Sequence, residues 1–190
     1  MELVKILSLN KSFEDKVVFK DFNATISKRK VNMLLGSSGS GKTTLLKILL
    51  GLEDYEGEIV GDLGKVSVVF QENRLIESLS VYDNIKLVYG KGLSREEVEK
   101  DLNEVGLYGT IDNKVSQLSG GMKRRVAIVR ALIVDAKTYI FDEAFKEIDH
   151  KNYELVIEYY KKKTKGKTVI MTSHNKWELD NLSDNHIYIE

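Results

Sequence analysis

The 190-residue sequence predicts an α/β fold that combines a mostly parallel sheet, an N-terminal antiparallel β portion and an inserted helical subdomain. Three observations predict it: β-rich runs open the chain, helical patterns fill its middle, and strand-like and helix-like segments alternate towards its end. Such alternation is typical of a doubly wound sheet, which binds ligands at the carboxyl ends of its strands. We therefore predict one domain, residues 1–190, with 1–71 and 133–190 as the α/β core and 72–132 as the helical subdomain.

The first part of the chain contains several strand-like runs and one helical run. LVKILSL and KVVFKDFNATI are strand-like, and the turn-like NKSFED separates them. KVNMLLG is a compact apolar strand that leads into a glycine-rich segment. KTTLLKILLGL then places leucines and isoleucine on one helical face, and Gly51 ends the pattern. Two glycine-bounded strands follow, GEIVGD and GKVSVVFQE.

The middle of the chain has the spacing of helices. Val81, Ile85 and Val88 recur at helical intervals in VYDNIKLVY. SREEVEKDLNEVGL opens with a capping box, Ser94 with Glu97, and stops at a glycine. LSGGMKRRVAIVRALIV predicts a third helix, so this region forms the helical subdomain.

The α/β alternation resumes after that region. KTYIFDE predicts a buried strand that ends in carboxylates, DHKNYELVIEYYKKK a helix, KTVIMTSH a strand, KWELDNL a short helix and HIYIE a last strand. The lysine-rich run 161–167 could be a polyanion site or a helix C-terminus, where positive charge suits the helix dipole. We favour the helix terminus.

Composition excludes several classes of protein. Lysine plus arginine and aspartate plus glutamate number 29 each, so the net charge is zero and no overall field attracts nucleic acid or an anionic bilayer. There is no cysteine, which excludes disulfides and thiolate metal sites. No apolar run approaches the roughly 20 residues that span a bilayer. We expect a soluble chain that reaches a membrane only through a partner.

A phosphate-binding pattern follows the third strand. Residues 36–43, GSSGSGKT, fit G-x-x-x-x-G-K-[ST] between a strand and a helix, a context that argues against an ordinary glycine-rich turn. Glycines let backbone N–H groups surround the phosphates, Lys42 would reach the β- and γ-phosphates, and the Thr43 hydroxyl would ligate Mg²⁺. The predicted nucleotide-binding residues here are Gly36, Ser37, Ser38, Gly39, Ser40, Gly41, Lys42, Thr43 and Thr44.

Two carboxylates end the strand-like YIFDE. Asp142 lies where a magnesium-shell carboxylate is expected in a P-loop protein, and Glu143 could orient and deprotonate an attacking water. The alternative is a solvated acidic pair at the edge of the sheet, and the phosphate loop argues against it.

LSGGM, residues 118–122, forms a second potential anion site. A serine and two glycines directly before a helix can present backbone N–H groups to an anion, although an ordinary helix N-cap has the same form. The motifs together resemble those of the ATP-binding cassette (ABC) ATPases over nearly the whole chain. They occur in family order: the phosphate loop, Gln71 in VVFQE, LSGGM, YIFDE, Asp149 in AFKEID and His174 in TSH.

The resemblance implies a P-loop NTPase core that takes ATP and Mg²⁺. It also implies two cassettes joined head to tail, in which one copy's serine–glycine segment closes over the ATP held by the other's phosphate loop. That arrangement would explain two anion sites in one chain. The residues of the second site are Ser119, Gly120 and Gly121.

The smaller motifs take their roles from the resemblance. Gln71 corresponds to a residue that senses Mg²⁺ and the attacking water, or else to a surface hydrogen-bonder. His174 corresponds to a switch histidine on the γ-phosphate, or else to a half-exposed strand-end residue. Asp149 corresponds to the family's D-loop aspartate and could also be a helix N-cap. Phe13 corresponds to the aromatic that stacks on adenine, or else to a hydrophobic turn residue.

The predicted catalytic residues are therefore Lys42, Gln71, Glu143 and His174, and the predicted metal ligands are Thr43, Gln71 and Asp142. The resemblance predicts an ATPase, a translocase subunit that drives transport through separate membrane permease subunits. The resemblance also implies that this subunit pairs with a second cassette, as a homodimer, and lies in the cytoplasm at the inner face of the membrane without inserting. Nucleic acid is not an expected partner.

Two departures from the family pattern remove no catalytic group. Met122 replaces the commoner glutamine and Ala144 the usual proline. Together with VFQENRL, these two residues favour a resemblance to importer ATPases of the nitrate, sulfonate, taurine and thiamine-precursor type. The alternative function is a soluble cassette that acts in nucleic-acid, iron–sulfur assembly or cell-division processes, and the neutral charge gives no footprint for nucleic acid.

Overall fold

A computed structural model describes residues 3–14 and 16–190 of the chain. The described strands are β1 (Leu3–Phe13), β2 (Lys16–Ser27), β3 (Val31–Leu35), β4 (Glu56–Val60), β5 (Val66–Val69), β6 (Thr138–Asp142), β7 (Thr168–Thr172) and β8 (Asn185–Tyr188). The described α-helices are α1 (Lys42–Leu49), α2 (Val81–Tyr89), α3 (Arg95–Glu104), α4 (Gly120–Leu132), α5 (His150–Thr164) and α6 (Lys176–Leu182). A 3₁₀ turn, Val115–Gln117, precedes α4.

The chain forms two compact units. The first contains the described residues of Met1–Val66 together with Lys137–Asp142 and Gly166–Glu190. The second contains Ser67–Ala136 and Glu143–Lys165. The predicted limits of the helical subdomain, 72–132, remain a prediction.

The first unit holds a parallel and an antiparallel sheet. In the parallel sheet, β7 lies between β6 and β3, and β8 pairs with the other side of β3. Lys65, directly before β5, accepts hydrogen bonds from the N–H groups of Lys137 and Thr138 at the start of β6. Strands β6 and β7 are buried along their whole length, which explains their continuous apolar runs. The antiparallel sheet has the order β2–β1–β4, so the predicted fold class is confirmed.

The N-terminal hairpin differs from the sequence prediction. We expected the turn-like NKSFED to separate the first two strands, but β1 continues to Phe13, where Phe13 pairs with Lys16. Glu14 adopts a left-handed conformation, with φ of 47°, and Asp15 lies outside the described residues. Asn10, Lys11 and Ser12 stay in the strand because register shifts along β1 accommodate them as bulges.

The second unit is mostly helical. Helix α3 begins with the predicted capping box, since Ser94 accepts a hydrogen bond from the Glu97 N–H and the Glu97 side chain accepts one from the Ser94 N–H. Val81 and Ile85 of α2 are buried, whereas Val88 is exposed. Helix α5 also belongs to this unit and packs against α3 and α4. No helix within residues 3–14 and 16–190 is long and apolar enough to cross a membrane.

Candidate functional site

The phosphate loop connects β3 to α1 in the first unit. Gly41, the residue before α1, has φ of 108°, in the left-handed region that favours glycine. A Cβ at Gly41 would lie 2.7 Å from Val18 Cγ1 and 2.9 Å from Phe19 Cζ. The turn into α1 therefore requires glycine for both conformation and space. In this loop Gly36, Ser37, Ser38 and Gly39 are exposed, and Thr44 is half-buried within α1.

The loop wraps around the Lys42 ammonium. The side chain is only 9% exposed, and Nζ donates hydrogen bonds of 2.8 Å to the carbonyl oxygens of Gly36 and Ser37. These carbonyls use two of the three ammonium N–H donors. The start of α1 adds the partial positive charge of a helix N-terminus. The loop thus brings together a cation and a helix start, which suits a phosphate.

A hydroxyl and a carboxylate meet beside the loop. Thr43 Oγ1 donates to Asp142 Oδ2 at 2.9 Å, and Thr172 Oγ1 donates to Asp142 Oδ1 at 2.8 Å. Asp142 is 5% exposed at the end of β6, so these hydrogen bonds hold the carboxylate in place. Hard oxygen donors are the ligands that Mg²⁺ prefers, and it usually binds to one or two carboxylates plus substrate phosphates. Thr43 and Asp142 fit such an ion.

A buried hydroxyl of the loop also agrees with a bound phosphate. Ser40 Oγ is buried and has no hydrogen-bond partner among the described residues. An unsatisfied buried hydroxyl is costly, so its position in the loop fits a bound phosphate oxygen.

Two other predicted residues belong to the first unit. His174 is exposed in the segment after β7, between buried Ser173 and the N-cap of α6. Phe13, at the end of β1, is 41% exposed, and the Lys11 ammonium lies 4.6 Å from its ring centroid. Both side chains are accessible, and their contacts with nucleotide stay predictions.

Glu143 follows β6 in a strained conformation and belongs to the second unit. Its φ is 46°, which non-glycine residues adopt only at an energetic cost. The carbonyl oxygens of Glu143 and Ala144 both accept hydrogen bonds from the Arg124 guanidinium, at 2.8 and 2.6 Å. The Glu143 carboxylate lies 3.4 Å from Lys146 Nζ. Glu143, the predicted general base, therefore lies on a backbone turn that hydrogen bonds from Arg124 hold in place.

Gln71, the other catalytic prediction of this unit, lies just beyond β5. Its side chain is exposed, and its carbonyl oxygen accepts a hydrogen bond of 3.1 Å from Arg124 Nη1. Arg124 thus bonds to the backbones of both Gln71 and Glu143. The sequence analysis did not single out Arg124. Arg124 lies between two other basic residues, Lys123 and Arg125, so the local sequence does not distinguish it.

The serine–glycine segment opens α4. Ser119 is the N-cap and its Oγ accepts a hydrogen bond of 3.3 Å from the Met122 N–H. Ser119 and Gly120 are exposed, and a Cβ at Gly120 would have no neighbour within 4 Å among the described residues. A Cβ at Gly121 would lie 3.1 Å from the Glu147 carbonyl oxygen. The N-cap role is therefore observed, and the outer face of the helix start is open.

Asp149 caps α5 near this segment. Its side chain accepts hydrogen bonds from the Asn152 N–H at 3.2 Å and from Asn152 Nδ2 at 2.8 Å. The Asn152 side chain is the main reason that the pKa of Asp149 is lowered. Arg125 Nη2 lies 4.0 Å from the Asp149 carboxylate, and Arg125 also donates to the carbonyl oxygens of Val105 and Gly106. Burial lowers the pKa of Arg125, and the charge of Asp149 opposes that shift.

Comparison with known proteins gives consistent relatives. The sequence profile of the ABC transporter family matches residues 19–146. The chain is 33% identical over 203 residues to the spermidine/putrescine import ATP-binding protein of Acetivibrio thermocellus, covering 96% of this chain and 57% of the relative. It is 36% identical over 196 residues to the lantibiotic transport ATP-binding protein of Streptococcus pyogenes, covering 96% and 84%. It is 39% identical over 148 residues to an aliphatic sulfonates import ATP-binding protein of Pseudomonas savastanoi pv. phaseolicola, covering 77% and 62%.

A solved structure shows the same fold. The protein, from Pyrococcus furiosus and described as an ATP-binding protein of an ABC transporter, matches with a TM-score of 0.83 and 26% identity, covering 98% of this chain and 97% of that one. The chain spans little more than half the length of the polyamine-import relative, 57%. The resemblance drawn from the motifs is confirmed, including its lean towards sulfonate importers. The chain belongs to the ABC transporter family.

Proposed function

We propose that the chain binds ATP with Mg²⁺ and hydrolyses it as the ATP-binding subunit of an ABC transporter. The observation that carries this proposal is the arrangement of Lys42, Thr43 and Asp142 in the first unit. A buried ammonium inside a glycine loop and a hydroxyl bonded to a buried carboxylate are the parts that a nucleoside triphosphate and its metal require. The names of the relatives support the same ligand.

The phosphate loop would bind the triphosphate through several contacts. Lys42 keeps a third N–H for a phosphate oxygen beside the two that hold the loop carbonyls. The N–H groups at the start of α1 and the Ser40 hydroxyl would contact further oxygens. Thr43 and Asp142 would hold the Mg²⁺ ion, which when bound neutralises charge on the phosphates. Exposed Phe13 would stack on the adenine.

Hydrolysis would use the carboxylate of Glu143. Because Glu143 directly follows Asp142, it extends from the strand end that carries the metal ligand. Its carboxylate would take a proton from water while the water oxygen forms a bond to the γ-phosphorus. The bond between that phosphorus and the β–γ bridging oxygen breaks, and ADP and inorganic phosphate leave. Gln71 would orient the water, and His174 would contact the γ-phosphate.

Two copies would form the working ATPase. Ser119 and Gly120 are exposed at the N-terminus of α4, and the face of Gly120 is open. A helix start of this kind binds anions, so it would close over the triphosphate of a second copy in a two-fold, head-to-tail homodimer. Asp149 of the same unit would lie in that interface. ATP would join the copies and hydrolysis would separate them.

This cycle would energise membrane permease subunits on the cytoplasmic side. The relatives are named as ATP-binding proteins of polyamine import, lantibiotic transport and sulfonate import, so they share transport and differ in substrate. We therefore assign transport to this chain through the permease partners, and assign the choice of substrate to those partners. The chain would act at the inner face of the membrane and would not insert into it.

Replacing Glu143 by glutamine tests the hydrolytic role. We expect Glu143→Gln to lower the rate of phosphate release at least about 100-fold, because a general base contributes roughly 10²–10⁴. ATP binding should persist, and light scattering should show an ATP-dependent dimer. Glu158→Gln, a charge-matched change on the exposed side of α5, should keep the wild-type rate. Undiminished hydrolysis in Glu143→Gln would refute the assignment.

A further inference from the structure

Arg124 is a buried arginine in the middle of the second unit. It belongs to α4, and its side chain is only 2% exposed. Burying a guanidinium is unfavourable unless its donors are satisfied. Its acceptors include five oxygen atoms on two chain segments: the carbonyls of Phe70, Gln71, Glu143 and Ala144 and the side chain of Asn73.

The geometry of these bonds uses the planar shape of the guanidinium. Nε donates to the Ala144 carbonyl at 2.6 Å and Nη2 to the Glu143 carbonyl at 2.8 Å. Nη1 donates to the carbonyls of Phe70 at 2.6 Å and Gln71 at 3.1 Å, on the opposite segment. A guanidinium carries five N–H donors in a rigid fork, so the two backbones are held at a fixed separation.

The segments held by Arg124 carry two of the residues predicted to handle the attacking water. Glu143 has φ of 46°, a conformation that needs support from its surroundings. The Arg124 guanidinium donates hydrogen bonds to the carbonyl oxygens of Glu143 and Ala144 and therefore provides that support. An error of about 1 Å in the position of such a group can cost about 100-fold in rate.

We propose that Arg124 is a positioning residue for ATP hydrolysis, which sets the separation between Glu143 and Gln71 through their backbone carbonyls. This inference rests on the proposed hydrolytic function. It predicts a loss in kcat and not in nucleotide affinity, since Lys42 and Thr43 belong to the first unit and all the acceptors named above to the second.

The test compares Arg124→Met and Arg124→Lys with Arg130→Met. Arg130 is the matched control because it lies on the same helix and donates to the carbonyls of Asn73 and Arg74, beyond Gln71. We expect Arg124→Met to lower the single-turnover rate at saturating ATP about 100-fold, with the ATP dissociation constant changed less than about threefold. Arg124→Lys keeps the charge without the fork and should lose about tenfold. Arg130→Met should stay within about threefold of wild type.

A double variant separates positioning from a general defect in packing. If Arg124 acts through Glu143, Arg124→Met should lower the residual rate of Glu143→Gln by less than about threefold, because the group it positions is already disabled. A loss of the same size in both backgrounds would overturn the inference, as would wild-type kcat in both folded Arg124 variants. If Arg124→Met does not fold, Arg124→Lys in the same two backgrounds decides the result. Full activity of Glu143→Gln would instead reject the proposed function itself.

Discussion

The starts of α1 and α4 share one local chemistry and differ in what completes them. Glycine precedes α1, and the loop before it encloses the buried Lys42 ammonium and ends beside the Thr43–Asp142 hydrogen bond. Serine precedes α4, where Ser119 and Gly120 remain exposed. At the start of α1, residues of the same unit provide both a cation, Lys42, and a carboxylate, Asp142. The start of α4 has an open face that suits an anion brought from outside, which supports the proposed pairing of two copies.

The strongest way to break this comparison is to remove the cation of the first site. Lys42→Met deletes the ammonium that the loop encloses, and truncating a buried charged contact costs about 3 kcal/mol. We therefore expect the affinity for ATP, measured by titration calorimetry, to fall about 100-fold. Lys47→Met, in the last turn of the same helix, should bind ATP normally. Unchanged affinity in Lys42→Met would remove the distinction between the two sites.

A negative charge at the second site sharpens the comparison further. Gly120→Asp places a carboxylate at the N-terminus of α4, where the helix dipole favours it and the side chain has open space. Thermal unfolding should therefore show equal or slightly higher stability. Hydrolysis should fall at least about tenfold, because the carboxylate repels a triphosphate presented by a second copy.

Gly120→Ala provides the size control for that experiment. The added Cβ would have no neighbour within 4 Å in the described part of the chain. Any loss of hydrolysis would therefore come from contact with a second copy. We expect a smaller loss than for Gly120→Asp. Full hydrolysis in both folded variants would contradict a nucleotide at this helix start.

The smallest expected effect concerns a third helix start, that of α5, where the carboxylate of Asp149 is the N-cap. Because the pKa of Asp149 is lowered in the folded chain, its charge stabilises the fold above the ordinary aspartate pKa of about 3.9. That contribution is lost as the pH falls through the folded-state pKa. Asparagine also caps helices, so Asp149→Asn isolates the charge. At pH 7 the free energy of unfolding of the variant should be a few tenths of a kcal/mol lower than that of the wild type.

Urea denaturation at neutral pH and below the folded-state pKa measures this difference. The two proteins should converge in acid, since wild-type Asp149 is then protonated as well. A gap that widens as the pH falls would contradict the assigned direction of the shift. Together with the Glu143→Gln and Arg124 experiments, these changes distinguish two kinds of helix start. The starts of α1 and α4 would bind an external anion, whereas the start of α5 is capped by the carboxylate of Asp149.

Much of the candidate site was predictable because it depends on local sequence. The pattern GSSGSGKT anticipates a turn that only glycine permits at Gly41, and the structure shows that turn. The capping box at Ser94 and the N-caps at Ser119 and Asp149 are likewise local, and the structure confirms them. The roles of Phe13 and His174 at the nucleotide, and of Gln71 at Mg²⁺ and the attacking water, stay predictions.

The sequence alone determined the alternation of strands and helices, the phosphate loop and the family, because these depend on spacing between neighbouring residues. Tertiary structure decided the rest. Thr43 and Asp142 meet only through pairing of distant segments, and the Arg124 fork joins α4 to carbonyls more than fifteen positions away in either direction. Backbone carbonyls carry no side-chain identity, so no residue pattern records which of them a buried guanidinium will bind.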